Sequence, residues 1–468
     1  MSQSRRNFIK QSTLASTAFG AFTISGTKSS GKVIGANERI NLAVCGIKGR
    51  GGAHMGSFAR IKNLRISHLI DPDSRLFESR KNSSIFKKVG YVPECVQDVR
   101  KALENKDIHA VSVATPNHWH SLISIWACQA GKDVYVEKPL SHNIFEGGKL
   151  VEAAKKYGRI VQHGTQSRSN QGLAKTAKEI AEGKKGKLEV SLGTCHKGRG
   201  SIGFKDTKKP PSELDFDVWL GPAEKEAYHE NLVHYNWHWF WKFGNGDIGN
   251  QGVHQVDIAR WMIPGAKWPK SVISVGGRFG YKDQGQTANT QLAIFDYGEA
   301  LMVFEVRGLK TKRNVGNKQF FGKGGNKKDV LSLPGVKSPI ADRGQGDNFA
   351  NFITAVRSRK TEDLNAHVLE GHISSALCHL PNISLRLGEK QPFSKKTKAF
   401  GENKVAYEYL ERMQDHLKDN GVKLNETDYI VGRHLKFDGK TESFVGDDEA
   451  NALLTRNYRE PFVVPAKV

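Results

Sequence analysis

The first residue with chemistry to offer is a lysine at the end of an apolar run. Residues 134–139 read VYVEKP, a buried strand that stops at Glu137-Lys138-Pro139. In open α/β sheets ligands sit in the crevice at the carboxyl ends of strands, so Lys138 puts a cation where a ligand would be. The preceding apolar run, residues 110–115 (AVSVAT), ends likewise in Pro116-Asn117-His118-Trp119-His120. Further along, Asn250, His254, Asp257 and Trp261 fall on one face of a helix read over residues 251–263. Polar side chains aligned on an otherwise apolar helix need partners or a ligand. Histidine can take a proton near neutral pH, and a lysine can stabilise a developing alkoxide. Together they suit removal of hydride and a proton from a carbinol. Asn250 cannot take a proton, but it can orient a hydroxyl or His254. Trp237, Trp239 and Trp241 offer flat faces suited to a sugar ring. Zinc on His118, His120 and His254 is not expected, because no CxxC or HExxH accompanies the HxH.

These groups need a scaffold. Residues 39–45 (RINLAVC) read as a buried strand, residues 46–52 (GIKGRGG) as a glycine-rich turn and residues 53–61 as a helix. That is the setting of a dinucleotide fingerprint. Gly46 and Gly51 hold its outer positions, Lys48 its middle one, and Gly49 stands beside it as an offset substitute. The next strand, residues 64–70 (LRISHLI), ends at Asp71. An acid there would bind the adenosine ribose and repel a 2′-phosphate. Asp73 and Arg75 bear on that choice. Helix and strand then alternate: helix 96–103, strand 108–115, amphipathic helix 121–130, the VYV strand, helix 145–157 and strand 159–163. This predicts a doubly wound parallel sheet. Strands at 188–196, 271–279, 290–295 and 301–306 fit a second, mainly antiparallel sheet. The expected class is α/β: a Rossmann domain at 38–163, an α+β domain at 164–390 and an extension at 391–468.

The chain has 468 residues, 38% hydrophobic and 25% charged, as a globular protein of two or three domains would. Its net charge of +23 argues for a polyanion binder, but the lysine pairs are scattered and belong to no nucleic-acid motif. Solvated surface charge is the reading, and no nucleic-acid partner is expected. The five cysteines form no CxxC. No run reaches the ~18–20 apolar residues of a membrane span. Residues 4–10 (SRRNFIK), before a mildly apolar stretch at 13–24, resemble a twin-arginine export signal. Residues 1–37 are therefore read as signal and linker, and the expected compartment is the periplasm, reached folded and with cofactor loaded.

The glycine turn, Asp71, ATPNHWH (114–120), AGKDVYVEKPLS (130–141) and GTQ (164–166) together resemble the Gfo/Idh/MocA oxidoreductases over residues 39–388. WLGP (219–222) and residues 447–465 resemble a Bacteroidetes-type branch with a carboxyl-terminal extension. The resemblance implies tightly held NAD or NADP, with NAD favoured by Asp71. It implies cofactor contacts from Gly46, Ile47, Lys48, Gly49, Arg50, Gly51, Asp71, Thr115, Pro116, Asn117, His120, Glu137 and Lys138. Catalysis would fall to Lys138 and His254, with Asp257 and Asn250; many members carry aspartate at the position of Asn250. Substrate contacts would come from Gln166, Arg168, Trp237, Trp239 and His254. No metal is implied. A homo-oligomer acting on a small carbohydrate is expected, moving hydride between nicotinamide and a hydroxyl or keto group. The alternatives are an NAD-dependent glycoside hydrolase working by transient oxidation and elimination, and a non-catalytic polyanion or glycan binder.

Overall fold

The first strand, β1 (Ile40–Cys45), is sealed from solvent at every residue but Asn41. A strand buried on both faces belongs inside a parallel sheet clothed by helices. It pairs in parallel with β2 (Leu64–Ile70) and, on its other side, with β4 (Ala110–Val113). β3 (Glu94–Val96), β5 (Asp133–Val136) and β6 (Val161–His163) complete a six-stranded parallel sheet, ordered β3-β2-β1-β4-β5-β6. The order reverses between β1 and β4, so the ligand crevice of such a fold opens above those two strand ends. The computed structural model describes residues 38–312, 316–322, 336–337 and 347–468; the export signal read in residues 1–37 lies outside them.

The helix expected over 121–130 differs in an instructive way. It spans Asn117–Gln129, so PNHWH forms its start, and residues 117–128 are all buried rather than amphipathic. The face that would meet water is covered by the end of the chain. The Phe462 ring meets Trp119 at 5.5 Å and Trp126 at 6.4 Å, and Val464 and Val468 join the same core. The chain also returns to the first domain through the helix Asn348–Ser358. Phe349 stacks on Tyr135 at 4.8 Å and meets Phe58 at 4.9 Å, edge to face. The expected boundary at 390 falls inside the strand Glu389–Pro392 of the second sheet, and the core of the Rossmann domain draws on residues beyond both 163 and 390.

Among the described residues the second sheet has ten strands, eight of them on one path. The path runs β12 (Val336–Lys337), β11 (Lys318–Gly322), β7 (Lys187–His196), β10 (Leu301–Arg307), β9 (Thr290–Asp296), β8 (Ser271–Gly277), β14 (Asp428–Val431), β13 (Glu389–Pro392). Off it, β15 (Leu435–Asp438) pairs with β8 and with β16 (Ser443–Phe444). Only β7 and β10 pair in parallel on that path; the other ladders are antiparallel. The first six residues of β8, β9 and β10 are all buried. Two helices, Val253–Trp261 and Val368–Arg386, cover one face and the helix Lys404–Asp419 covers the other. The stretch read as an extension is thus built into the second domain, through that helix and β14.

A long connection after β7 reaches back over the first sheet. The Glu213 carbonyl accepts from Ser74 N (3.1 Å) and Gln97 Nε2 (3.0 Å), and Asp215 N donates to Pro72 O (2.9 Å). Arg459 in the terminal tail holds the same connection, donating to the Gly221 carbonyl at 3.1 Å and to Asp217 Oδ1 at 2.7 Å. These bonds bring Trp219, His234 and Tyr235 across the crevice.

Candidate active site

At the switch point lies a cavity of about 580 Å³, walled by the glycine turn, the ends of β4 and β5 and the second-domain connection. Two glycines are dictated by contact. Gly46 has φ +78°, and a Cβ there would lie 2.6 Å from the Ala114 carbonyl oxygen. A Cβ on Gly51 would lie 1.9 Å from the Gly46 oxygen. At Gly49 a Cβ would meet nothing within 4 Å, and the residue lines the cavity. The turn delivers the helix Arg50–Phe58 with no side chain capping its start, which leaves first-turn N–H groups for an anion. Asp71 lines the cavity at the end of β2. Its Oδ2 accepts from Ile47 N at 3.0 Å and its Oδ1 from Asp73 N at 3.1 Å. Burial pushes its carboxyl up to about 6, against the pull of those two N–H groups. Ile47 and Gly51 shape the turn from inside; Ile47 is fully buried, with its N–H spent on Asp71. Arg75 is held by Asp73 at 2.6 Å, and Asp73 also takes His234 Nε2 at 2.6 Å.

Of the residues expected to contact a cofactor, Thr115, Pro116, Asn117, His120, Glu137 and Lys138 all line the cavity. The Thr115 hydroxyl oxygen is buried without a protein partner. Glu137 is a hub. Its Oε1 accepts from Arg50 Nε at 2.6 Å and Gln166 Nε2 at 3.2 Å and faces His54 Nε2 at 3.0 Å. Burial alone would raise its carboxyl, but Arg50, His54 and Lys138 hold it well below the usual carboxylate range. The hub fixes the backbone that carries Lys138. The Lys138 ammonium donates to the backbone carbonyl of Asn250, which joins the two domains at the crevice. Burial lowers its pKa, with the Glu137 carboxylate opposing.

The second-domain helix differs from the one-face arrangement. Residues 248–252 form a wide π-helical turn before the α-helix Val253–Trp261 begins. Such turns reset the register and recur at functional sites. Asn250 therefore bonds Lys138 with its carbonyl and the Tyr235 hydroxyl with its side chain. His254 is half-buried near Lys138 and, like Gln166, is not among the residues that line the cavity. Burial first, and the Lys138 ammonium second, push its imidazole down to about 3. It is neutral, the form that accepts a proton, but the same surroundings make it a weak base until substrate changes them. Asp257 turns the other way. Its carboxylate is forked by Arg168 at 2.8–3.0 Å and takes Ser374 Oγ at 2.6 Å. It is a buried structural ion pair, not a relay to His254.

Other expectations are corrected by burial. Arg168 spends its guanidinium on Asp257 and Glu370 and packs on Trp261, so it is not offered to substrate. Trp239 is 2% exposed in an aromatic core with Phe240 and Phe243, with Arg278 over its ring at 4.5 Å. Trp237 does line the cavity. Gln166 acts through Glu137 and does not line the cavity. His118 faces the Trp219 carbonyl, and His120 lies between the carbonyls of Pro139 and Thr115, so neither turns toward His254. Sequence reading missed Tyr235. Its hydroxyl accepts from Arg199 Nη1 at 2.8 Å at the substrate end of the cavity. Burial would raise the phenol pKa, but Arg199, Lys197 and Asn250 bring it below its usual value. Its one signal was position, two residues before the first of the three tryptophans.

Two family models match this chain. An oxidoreductase-family, NAD-binding Rossmann-fold model covers residues 40–165, and the C-terminal alpha/beta domain model of the same family covers 198–418. The chain is 27% identical over 166 residues to a levoglucosan dehydrogenase of Pseudarthrobacter phenanthrenivorans, 36% of each chain. It is 31% identical over 166 residues to a glycosyl hydrolase family 109 protein of Shewanella sp. (strain ANA-3), 32% of this chain and 36% of the other. The match thus spans about a third of these relatives' length. In fold it is similar to the WlbA dehydrogenase of Bordetella pertussis, solved with NADH and UDP-GlcNAcA: TM-score 0.55 at 19% identity, over 75% of this chain and 97% of that one.

Proposed function

This chain belongs to the Gfo/Idh/MocA oxidoreductase family, and we propose that it is a nicotinamide-dependent dehydrogenase acting on a hydroxyl of a sugar, polyol or glycoside. The observation that carries this reading is one cavity shared by the glycine turn and Lys138. The residues fit a dinucleotide: the turn leaves no room for side chains at 46 and 51, Gly49 opens on the cavity, and the Thr115 hydroxyl awaits a partner. A bound nicotinamide dinucleotide would supply the hydride acceptor. Gly46, Gly49 and the start of the helix Arg50–Phe58 would hold its pyrophosphate. Asp71 would take the ribose hydroxyls and favour NAD, since Arg75 is occupied by Asp73.

Lys138 then stabilises the alkoxide that develops as the substrate hydroxyl loses its proton. Asn250 and Glu137 hold the lysine in place. His254, neutral at working pH, receives the proton on a ring nitrogen. Tyr235 and Trp237 orient the sugar. The connection over 213–237 and the terminal tail that pins it exclude water and support tight retention of the nucleotide. The test is net reduction of NAD by the purified full chain, over a panel of glycosides and polyols. Reduction of none of them, with the nucleotide bound, would refute the proposal.

A second reading is favoured by the family 109 glycosyl hydrolase relatives. Transient oxidation, elimination and re-reduction would cleave a glycosidic bond with no net NADH. Aglycone release without NADH accumulation would select it. Export through the twin-arginine route to the periplasm and a homo-oligomeric state are also proposed.

A further inference from the structure

The surplus charge of the cavity identifies what kind of substrate the second-domain end receives. Five cationic side chains line it, Lys48, Arg50, Arg80, Lys138 and Lys197, against two carboxylates, Asp71 and Glu137. The two phosphates of a dinucleotide would offset two of the three surplus charges, all at the glycine-turn end. The one charge left lies at the other end, where Lys138 and Lys197 flank Tyr235. The carboxylates near that end are already matched: Glu137 by Arg50, Asp247 by Arg199 and Asp257 by Arg168. Lys138 reaches a backbone carbonyl, and among the described residues Lys197 Nζ reaches only the amide oxygen of Gln251, at 3.3 Å.

Lys197 is also well placed. It directly follows β7, and its N–H donates to the Arg307 carbonyl at 3.1 Å, so the sheet fixes where its side chain starts. Lys197 is exposed and has no carboxylate partner among the described residues, and it stands beside a cleft that stays positive by one charge after the nucleotide is counted, so the field there attracts an anionic ligand.

We propose that the substrate is an acid sugar, a uronic acid or a glycoside bearing a carboxylate, and that Lys197 receives the carboxylate while Lys138 serves the reacting hydroxyl. This rests on the dehydrogenase reading and narrows its substrate class. It makes Lys197 a specificity residue, with the Tyr235 hydroxyl and the Gln251 amide beside it as further polar contacts.

The experiment uses the full chain loaded with NAD and matched pairs of probes: glucuronate with glucose, galacturonate with galactose, and methyl β-glucuronide with methyl β-glucoside. Binding is measured by calorimetry and hydride transfer by nicotinamide absorbance. For at least one pair the acid should bind about tenfold tighter than its neutral partner, as a charge-assisted contact in a half-exposed cleft would give. Added salt should shrink that ratio. Lys197→Gln should bring it close to one, and Lys197→Glu should invert it. An acid-to-neutral ratio of one or less in every pair overturns the proposal, as does a ratio that Lys197→Gln leaves intact or a panel in which no acid binds. Acids that bind with the expected ratio but never reduce NAD would leave this inference standing and remove the dehydrogenase reading. Neutral sugars that alone bind and reduce NAD would do the reverse.

Discussion

Asp71 gives the cofactor site a pH dependence that can be worked from its surroundings. Burial raises its carboxyl to about 6, and both oxygens already hold backbone N–H groups. A ribose hydroxyl donates to the ionised carboxylate and gains little from the protonated acid. At pH 7 most molecules carry the carboxylate; at pH 5 only about one in eleven does. NAD affinity should therefore fall about tenfold from pH 7 to pH 5, or ~1.4 kcal/mol. The other charges facing Asp71 are Asp73 and Lys48, with His234 on Asp73. Asp73 is held below its usual value, and the His234 imidazole is lowered by burial. The Asp71→Asn variant separates Asp71 from them. Its absolute affinity will drop, because its NH₂ must face one of the two backbone N–H groups, but its affinity ratio between pH 7 and 5 should be near one. In the nucleotide-free protein the same shift acts in the opposite sense. An acid whose folded pKa is raised from 3.8 to about 6 makes the folded state lose stability as pH rises across that window. Calorimetric Kd values at pH 5, 6 and 7 for both proteins are the assay. A wild-type Kd that ignores pH, or the same tenfold change in Asp71→Asn, would refute the reasoning.

Replacing Lys138 by alanine should lower single-turnover hydride transfer by ~10²–10⁴-fold while nucleotide affinity changes far less; parallel losses in both would make Lys138 a cofactor ligand only. With nucleotide saturating, the acid limb assigned to His254 should lie below pH 5, because a group pushed down to about 3 stays neutral until then; a limb near 6.5 that vanishes in His254→Asn would show a more solvated histidine than the one described. Arg456 donates from Nε to the fully buried Glu146 at 3.1 Å, so Arg456→Met strands that carboxylate and should cost ~3–5 kcal/mol in denaturant unfolding; a loss under ~1 kcal/mol would mean the tail does not hold the Rossmann domain. Changing Arg5 and Arg6 together to lysine should leave the precursor in the cytoplasm on fractionation, and normal arrival in the periplasm would contradict the export reading.

The parallel sheet was legible because its signals are local. Strand β2 matched to the residue, and the glycine turn led into a helix where the fingerprint required one. Residues 117–128 misled for a non-local reason: their outer face is covered by Phe462 and Val464, over three hundred residues later. The return of Phe349 to the first core was hidden in the same way. At the site, Lys138 could be read because a strand end fixes its direction. Asp257 could not, because its partners Arg168 and Ser374 lie far off in sequence, and the π-helical turn at 248–252 shifts only Asn250 out of the register of the helix that follows. Trp237 and Trp239 are alike in type, and only the short 3₁₀ turn at Asn236–Trp239 sends one to the cavity and the other to the core. Arg168 looked available because a sequence does not show that Asp257 and Glu370 wait for it.

The central claim is that the cavity between the glycine turn and Lys138 passes hydride from a carbinol carbon to nicotinamide. The most direct measurement is mass spectrometry of the nicotinamide after one turnover, with sugars deuterated at their carbinol carbons, in wild type and Lys138→Ala. The account predicts deuterium on the reduced ring in wild type, and a rate of labelling at least a hundredfold lower in the variant. Sugar consumed by wild type with no deuterium ever reaching the nicotinamide would contradict it.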